Sequence, residues 1–180
     1  MKISFFNKNT SEPYLKLYSL YQKAIANKQG SIDAISISSF NAINKEVESR
    51  FVNLKHIDDE DWIFYSNYNS QKAKDFTSHS QIAALLFWNT INIQIRIKAN
   101  ITKTSKEFND NYFLNRSEQK NALAISSNQS EPVDSYKCVR ENYQKSLERD
   151  NLKKCPDFWG GYSFTPYYFE FWEGHSPRLN

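Results

Sequence analysis

Ile91-Asn92-Ile93-Gln94-Ile95-Arg96-Ile97-Lys98 is the stretch from which the fold is read. Isoleucine alternates with a polar residue, a period of two that puts the apolar side chains on one strand face and Asn92, Gln94, Arg96 and Lys98 on the other. β-Branched side chains suit that extended backbone, so composition and pattern agree. A half-buried antiparallel sheet follows. Just upstream, residues 82–88 form a continuous apolar run of strand length.

Further toward the amino end, residues 61–66 carry Trp62, Ile63, Phe64 and Tyr65, and residues 49–56 and 32–40 also have extended patterns. Three strands in succession predict a meander. Ser70 is placed to cap a short helix through residue 76. Ser11-Glu12-Pro13 followed by Tyr14, Leu17, Tyr18, Tyr21 and Ala24 predicts an amphipathic helix over about residues 11–29, with the proline in its first turn. Toward the carboxyl end, residues 105–120 have helical character, with Phe108, Tyr112 and Phe113 and no Gly or Pro to stop them. Val133, Tyr136, Arg140, Tyr143 and Leu147 mark another helix, entered through Ser130-Glu131-Pro132. Phe158-Trp159-Gly160-Gly161-Tyr162 and residues 167–172 are extended again. Strands around a central block, with helices early and late, give an α+β class with a small antiparallel, Greek-key-like barrel. One domain over residues 1–180 is expected.

Charged residues of both signs make up 24% of the chain and leave a net charge of +3, with no long basic block to follow a nucleic-acid backbone. Any cationic site is therefore local and suited to a small anion. Cys138 and Cys155 are too far apart for a CxxC pair and are read as reduced thiols. The start lacks a signal peptide's apolar run and nothing approaches a membrane span, so a cytoplasmic location is expected. His56, His79 and His175 stand alone, without metal-ligand spacing, and no metal site is expected.

Chemistry gathers instead on cations and hydroxyls set in β-type segments: Arg50, Lys55, Ser66 and Lys72. They are either an anion site built on charge-assisted hydrogen bonds or a solvated basic rim. Arg50 and Lys55 are an odd number of residues apart and should face opposite ways unless the strand is interrupted. Tyr112, Arg116 and Lys120 follow i, i+4, i+8 spacing, drifting only about forty degrees around a helix, which makes either a phosphate-binding row or an exposed face. Gln129-Ser130 precedes the second helix, where free N–H groups attract anions or simply cap the end.

In order along residues 13–180, these segments resemble the pyridoxamine 5′-phosphate oxidase family. Arg50-Phe51-Val52-Asn53-Leu54-Lys55 is similar to its R-x-V-L-L-K strand, Phe64-Tyr65-Ser66-Asn67 to F-Y-T-N, and Ser70-Gln71-Lys72 to S-x-K. Gln94 and the Gln129-Ser130 pair fall at family positions too. Phe158-Trp159-Gly160-Gly161-Tyr162 and Glu170-Phe171-Trp172-Glu173-Gly174 with Arg178-Leu179 resemble F-W-G-G-[FY] and E-F-W-Q-G…R-L.

The resemblance implies an FMN-binding split barrel and an FMN-dependent oxidase of pyridoxamine or pyridoxine 5′-phosphate. It places Arg50, Ser66, Gln71, Lys72, Gln129 and Ser130 around the FMN phosphate and ribityl chain. Val52, Asn53, Leu54, Lys55 and Tyr65 would run along the flavin, with Gln94 and Trp172 arriving from the second subunit of a homodimer. Lys55, Tyr112, Arg116, Lys120 and Arg178 are given to the small phosphorylated pyridine substrate, with Arg178 taken as catalytic. In the family a hydride passes from substrate to flavin, and molecular oxygen reoxidises the flavin to give hydrogen peroxide.

Four departures stand out. The D-x-x-G-x-P turn is here Ala42-Ile43-Asn44-Lys45-Glu46-Val47, without Gly or Pro. Gln71 stands where arginine is frequent, and Lys120 where serine is usual. The family's R-L-H-D-R ending reads Arg178-Leu179-Asn180, so its histidine is replaced and its last arginine has no counterpart. Weaker FMN binding is expected. Two other readings stay open: a flavin-dependent oxidase of another reduced ring, as in phenazine-pathway relatives, and a flavin- or vitamer-binding protein with little turnover.

Overall fold

The computed structural model describes residues 2–175. The isoleucine repeat lies in β7 (Ile93–Lys103), where Ile93, Ile95, Ile97, Ala99 and Ile101 are all buried and the intervening side chains point outward. Ile91 and Asn92 precede the strand, in a 3₁₀ turn whose cap, Asn92, takes the left-handed conformation. On one side β7 pairs with β6 (Gln81–Trp88), on the other with β8 (Trp159–Glu173). The two extended segments read near the carboxyl end are one long strand, with an irregularity opposite Lys98 and Ala99 that accommodates Pro166.

The remaining strands are β1 (Ser4–Phe6), β2 (Ala34–Asn41), β3 (Glu46–Asn53), β4 (His56–Asp58) and β5 (Asp61–Asn67). Among the described residues eight strands form one sheet in the order β1-β4-β5-β8-β7-β6-β2-β3. Every pair is antiparallel except β1 with β4. Five helices flank it: α1 (Glu12–Ala26), α2 (Gln71–Ser78), α3 (Lys106–Leu114), α4 (Glu118–Ser126) and α5 (Tyr136–Arg149). This is the α+β split barrel.

The expected meander is not formed. β3 ends the sheet at one side, whereas β4 and β5 lie at the other. The cause is a corner at Leu54-Lys55, where consecutive amides bond to different parts of the sheet. Leu54 N–H donates to Asp33 O and Lys55 N–H to Ile63 O, both at 2.8 Å. The fully buried Leu54 side chain pins the corner in the core. Burying one leucine of this kind stabilises the fold by about 1.5–3 kcal/mol, enough to hold a local change of direction.

The glycine-free β2–β3 turn is closed by Asn41, whose Oδ1 accepts from the N–H groups of Ile43 at 2.9 Å and Asn44 at 3.0 Å. Lys45 takes the left-handed φ of 58° that a glycine would otherwise supply.

Both late helices differ from the sequence reading. The stretch 105–120 is two helices, because Asn115 and Asn121 side-chain amides donate to the Asn111 and Phe113 carbonyls at the end of α3, each at 2.8 Å. The extended Ser117 then starts α4. The next helix is capped not at Ser130-Glu131-Pro132 but at Ser135, whose Oγ accepts from Cys138 N–H at 3.2 Å. Val133 lies before it and is exposed.

The core is aromatic at its centre, with Trp62, Phe64, Trp88, Tyr162 and Phe164 buried in one cluster to which α1 contributes Tyr14, Leu17, Tyr21 and Ala24 and α2 contributes Phe76. Cys138 and Cys155 are free thiols. Among the described residues no His, Cys, Asp and Glu group could hold a metal, and no helix is long and apolar enough to cross a membrane.

Candidate functional site

The Leu54-Lys55 corner curls β3 toward β5, and between them opens a cavity of about 570 Å³. One end is built from Arg50, Ser66, Gln71 and Lys72. Arg50 Nη1 donates to Ser39 Oγ at 2.6 Å, while its Nη2 lies 2.8 Å from Glu48 Oε2 and 3.7 Å from Asp75 Oδ2. Asp75 is fully buried and also accepts from Ser39 Oγ at 2.7 Å and Gln71 Nε2 at 3.1 Å.

Lys72 differs. It is only 7% exposed, its ammonium sits 3.3 Å from each of the Ser66 and Ser70 hydroxyls, and it makes no ion pair among the described residues. Burial, assisted by the neighbouring Arg50 charge, pulls its pKa down to about 8. A buried cation held only by hydroxyls is an incomplete arrangement that an entering anion completes.

The middle of the cavity is aromatic. Tyr65 stacks on Tyr112 with centroids 3.8 Å apart and on Trp159 at 5.1 Å, both nearly parallel. Arg116 lies over the Trp159 ring at 4.5 Å and donates to Asn121 Oδ1 at 3.2 Å. This stack needs Gly160: a Cβ there would collide with Tyr68 and with Asn109 of α3, the helix that carries Tyr112. Burial raises the pKa of both Tyr65 and Tyr112 and keeps them neutral phenols.

Past Arg116 a second pocket, of about 430 Å³, is shared by Asn53, Lys55, Tyr112, Arg116 and Lys120. Lys55 Nζ lies 3.3 Å from the buried Asp33 carboxylate, and burial lowers its pKa. Tyr112, Arg116 and Lys120 do meet, but not as a row on one helix. Arg116 sits in the break between α3 and α4, and Lys120 belongs to α4.

Gln129 and Ser130 reach the cavity wall without any helix terminus behind them, since the following helix begins six residues after Ser130. Ser130 adopts a φ of 72°, and Gln129 Oε1 accepts from Ser66 Oγ and Asn67 N–H, each at 3.2 Å. The interruption also resolves the parity of Arg50 and Lys55, which both line the same cavity.

Val52 and Asn53 line the cavity, but Leu54 does not: its side chain is in the core. Gln94 and Trp172 lie outside it as cross-strand partners on β7 and β8. Arg178 lies outside the described residues. The cavity walls Glu48, Phe51 and Trp159, and the supports Ser39, Asp33 and Asp75, were not singled out from sequence. Glu48 shares strand parity with Arg50, the one signal that could have found it.

No family model matches the chain. Pyridoxine/pyridoxamine 5′-phosphate oxidase 1 of Hydrogenovibrio crunogenus is 33% identical over 171 residues, covering 94% of this chain and 79% of that protein. The Flavobacterium johnsoniae pyridoxine/pyridoxamine 5′-phosphate oxidase is 37% identical over 154 residues, 84% of this chain and 71% of that protein. Among solved structures, PhzG from Burkholderia lata 383, in complex with tetrahydrophenazine-1-carboxylic acid, matches with a TM-score of 0.87 at 25% identity. That match covers 94% of this chain and 83% of PhzG. A pyridoxamine 5′-phosphate oxidase-related, FMN-binding protein from Nostoc punctiforme shares the fold with a TM-score of 0.71 at 10% identity, over 91% of this chain and 85% of that one. From its relatives at 33% and 37% identity and its split-barrel architecture, the chain belongs to the pyridoxine/pyridoxamine 5′-phosphate oxidase family of FMN-dependent oxidoreductases.

Proposed function

We propose that the protein is an FMN-dependent oxidase of pyridoxamine or pyridoxine 5′-phosphate, with oxygen as acceptor and pyridoxal 5′-phosphate and hydrogen peroxide as products. The observation that carries this reading is Lys72, a buried ammonium without an ion pair among the described residues, lining the same cavity as Arg50. Such a pair fits a phosphate. Arg50, Lys72, Ser66, Gln71, Gln129 and Ser130 would hold the cofactor's phosphate end, and Val52, Asn53, Lys55 and Tyr65 its ring end. When bound, FMN supplies the two-electron redox chemistry, while the protein supplies position and charge.

On the substrate side, Lys55, Arg116 and Lys120 stand around one pocket, and with Lys55 offset by Asp33 the other two still provide a double positive charge suited to a dianionic phosphate. Arg116, fixed by Trp159 and Asn121, orients one end of the substrate. The Tyr65, Tyr112 and Trp159 stack excludes water beside it.

The phenazine-type alternative has one observation in its favour, the TM-score of 0.87 to PhzG. The cation count in the second pocket argues for the phosphorylated vitamer.

A homodimer belongs to the same reading. Gln94 and Trp172 lie on the outer sheet face that also exposes Phe51 and Phe87, at 75% and 53%. Exposed aromatic rings on a face that is otherwise polar, with Arg96 and Lys98 beside them, suit a second copy that brings Gln94 and Trp172 to its partner's FMN. The unpaired cysteines accord with a cytoplasmic location.

The test is direct. The purified protein should show a flavin spectrum that bleaches under anaerobic pyridoxamine 5′-phosphate and returns on admission of oxygen. A yellow protein that bleaches only with a reduced phenazine precursor would establish the alternative instead.

A further inference from the structure

Two carboxylates share the Arg50 guanidinium, and they differ in freedom. Asp75 is fully buried on α2 and fixed by Ser39 Oγ at 2.7 Å and Gln71 Nε2 at 3.1 Å, so it cannot leave. Glu48 stands two residues before Arg50 on the same face of β3, with its side chain 43% exposed and forming part of the cavity wall. Its Oε2 accepts from Arg50 Nη2 at 2.8 Å, a closer carboxylate contact than the 3.7 Å to Asp75.

A phosphate entering the cavity would need those same cavity-side N–H donors, and it cannot share them with a carboxylate without like-charge repulsion. Around Arg50 the two acids outnumber the one guanidinium, and their spare negative charge also favours the Lys72 ammonium without an ion pair to it, so this end stays near neutral until Glu48 turns away. The group able to yield is Glu48, because it can turn into water, whereas Asp75 would leave an unpaired charge in the core.

We propose that Glu48 is a built-in competitor for the ligand's phosphate, holding the cavity-facing edge of Arg50 until phosphate displaces it. It keeps the guanidinium oriented and neutralised in the empty site, and it sets the affinity below what Arg50 and Lys72 would give alone. The inference rests on the reading of this cavity as the FMN phosphate site.

The experiment uses full-length protein freed of flavin. FMN and riboflavin binding are followed by quenching of flavin fluorescence, and inorganic phosphate is added as competitor. Glu48→Gln should tighten FMN by about threefold to tenfold, since a charge-assisted bond to Arg50 no longer has to be broken. It should strengthen competition by inorganic phosphate in step and leave riboflavin, which lacks the phosphate, unchanged. Glu46→Gln removes the same charge two residues earlier and should shift FMN by less than about twofold, as expected of a screened surface charge. FMN binding no tighter in Glu48→Gln, or riboflavin tightened as much as FMN, would overturn the competitor role while the phosphate-site reading stood. If the parent protein bound neither FMN nor phosphate, the site reading itself would fail and this inference with it.

Discussion

The two cationic clusters of the cavity are built differently. Arg50 and Lys72 are braced from below by strand pairing and α2, with Asp75 and Ser70 fully buried beneath them. Lys55, Arg116 and Lys120 come from a strand corner, a helix break and a helix surface, and each is held separately, Lys55 by Asp33 and Arg116 by Asn121 and the Trp159 ring, with Lys120 exposed. A cradle fixed at every donor suits a ligand that stays, and a looser one suits a ligand that must leave after each turnover. The division between resident cofactor and transient substrate is therefore already present in how each cluster is supported.

Lys72→Met should have the largest effect. Removing the cation from the braced end should lower FMN affinity by about a hundredfold or more, measured by fluorescence titration. The same variant should raise the melting temperature of the flavin-free protein, because a buried unpaired ammonium costs folding energy. The pH sign follows. With its folded pKa lowered to about 8, Lys72 binds fewer protons folded than unfolded above that value. Its burden on stability is thus full below pH about 8 and relieved as pH rises toward the unfolded value. FMN affinity should move the opposite way, falling as pH rises through about 8. A variant with unchanged FMN affinity would show that the two clusters do not differ in role.

Arg116→Ala addresses the looser cluster. It should raise KM for pyridoxamine 5′-phosphate by roughly tenfold to a hundredfold while FMN occupancy stays close to that of the parent. Loss of FMN in parallel would mean that the aromatic stack, not the charge, was disturbed.

Gln71→Arg sharpens the braced end. Gln71 already donates to Asp75, so an arginine there has a partner waiting and should tighten FMN by about threefold to tenfold in titration. Lys120→Ser is the smallest change expected, about a threefold rise in KM that shrinks as salt is added, because this side chain is exposed and screened. Insensitivity of that effect to salt would place Lys120 in direct contact with the substrate.

The fold was legible wherever a local pattern had a single physical reading. Alternation through Ile93, Ile95 and Ile97 admits a half-buried strand and little else, and Pro13 after Ser11 marks a helix start by itself. The late helices were less legible because their limits depend on side-chain capture. Nothing in residues 105–120 shows that Asn121 will take the Phe113 carbonyl, or that Ser135 will outcompete Ser130 as a cap. The site followed the same rule. Arg50, Ser66 and Lys72 stand on elements that the sequence marks, so motif order could bring them into view together. Asp75, Ser39 and Glu48 could not be found this way, because their importance lies in contacts with Arg50 from other parts of the chain or across one strand face.

Residue order alone settles which residues are strand or helix formers, which strand faces are apolar, and that cations and hydroxyls fall at the positions of an oxidase family. These are properties of neighbours along the chain, governed by side-chain period and backbone preference. Long-range packing, in contrast, sets the turn at Leu54-Lys55 in place of a meander and brings Arg50 and Lys55 to one cavity despite their odd spacing. It also decided that Arg50 is shared by two acids while Lys72 has none. Those outcomes depend on which backbone amides and charges are desolvated together, and desolvation is settled by groups distant in sequence that become neighbours only when the sheet closes.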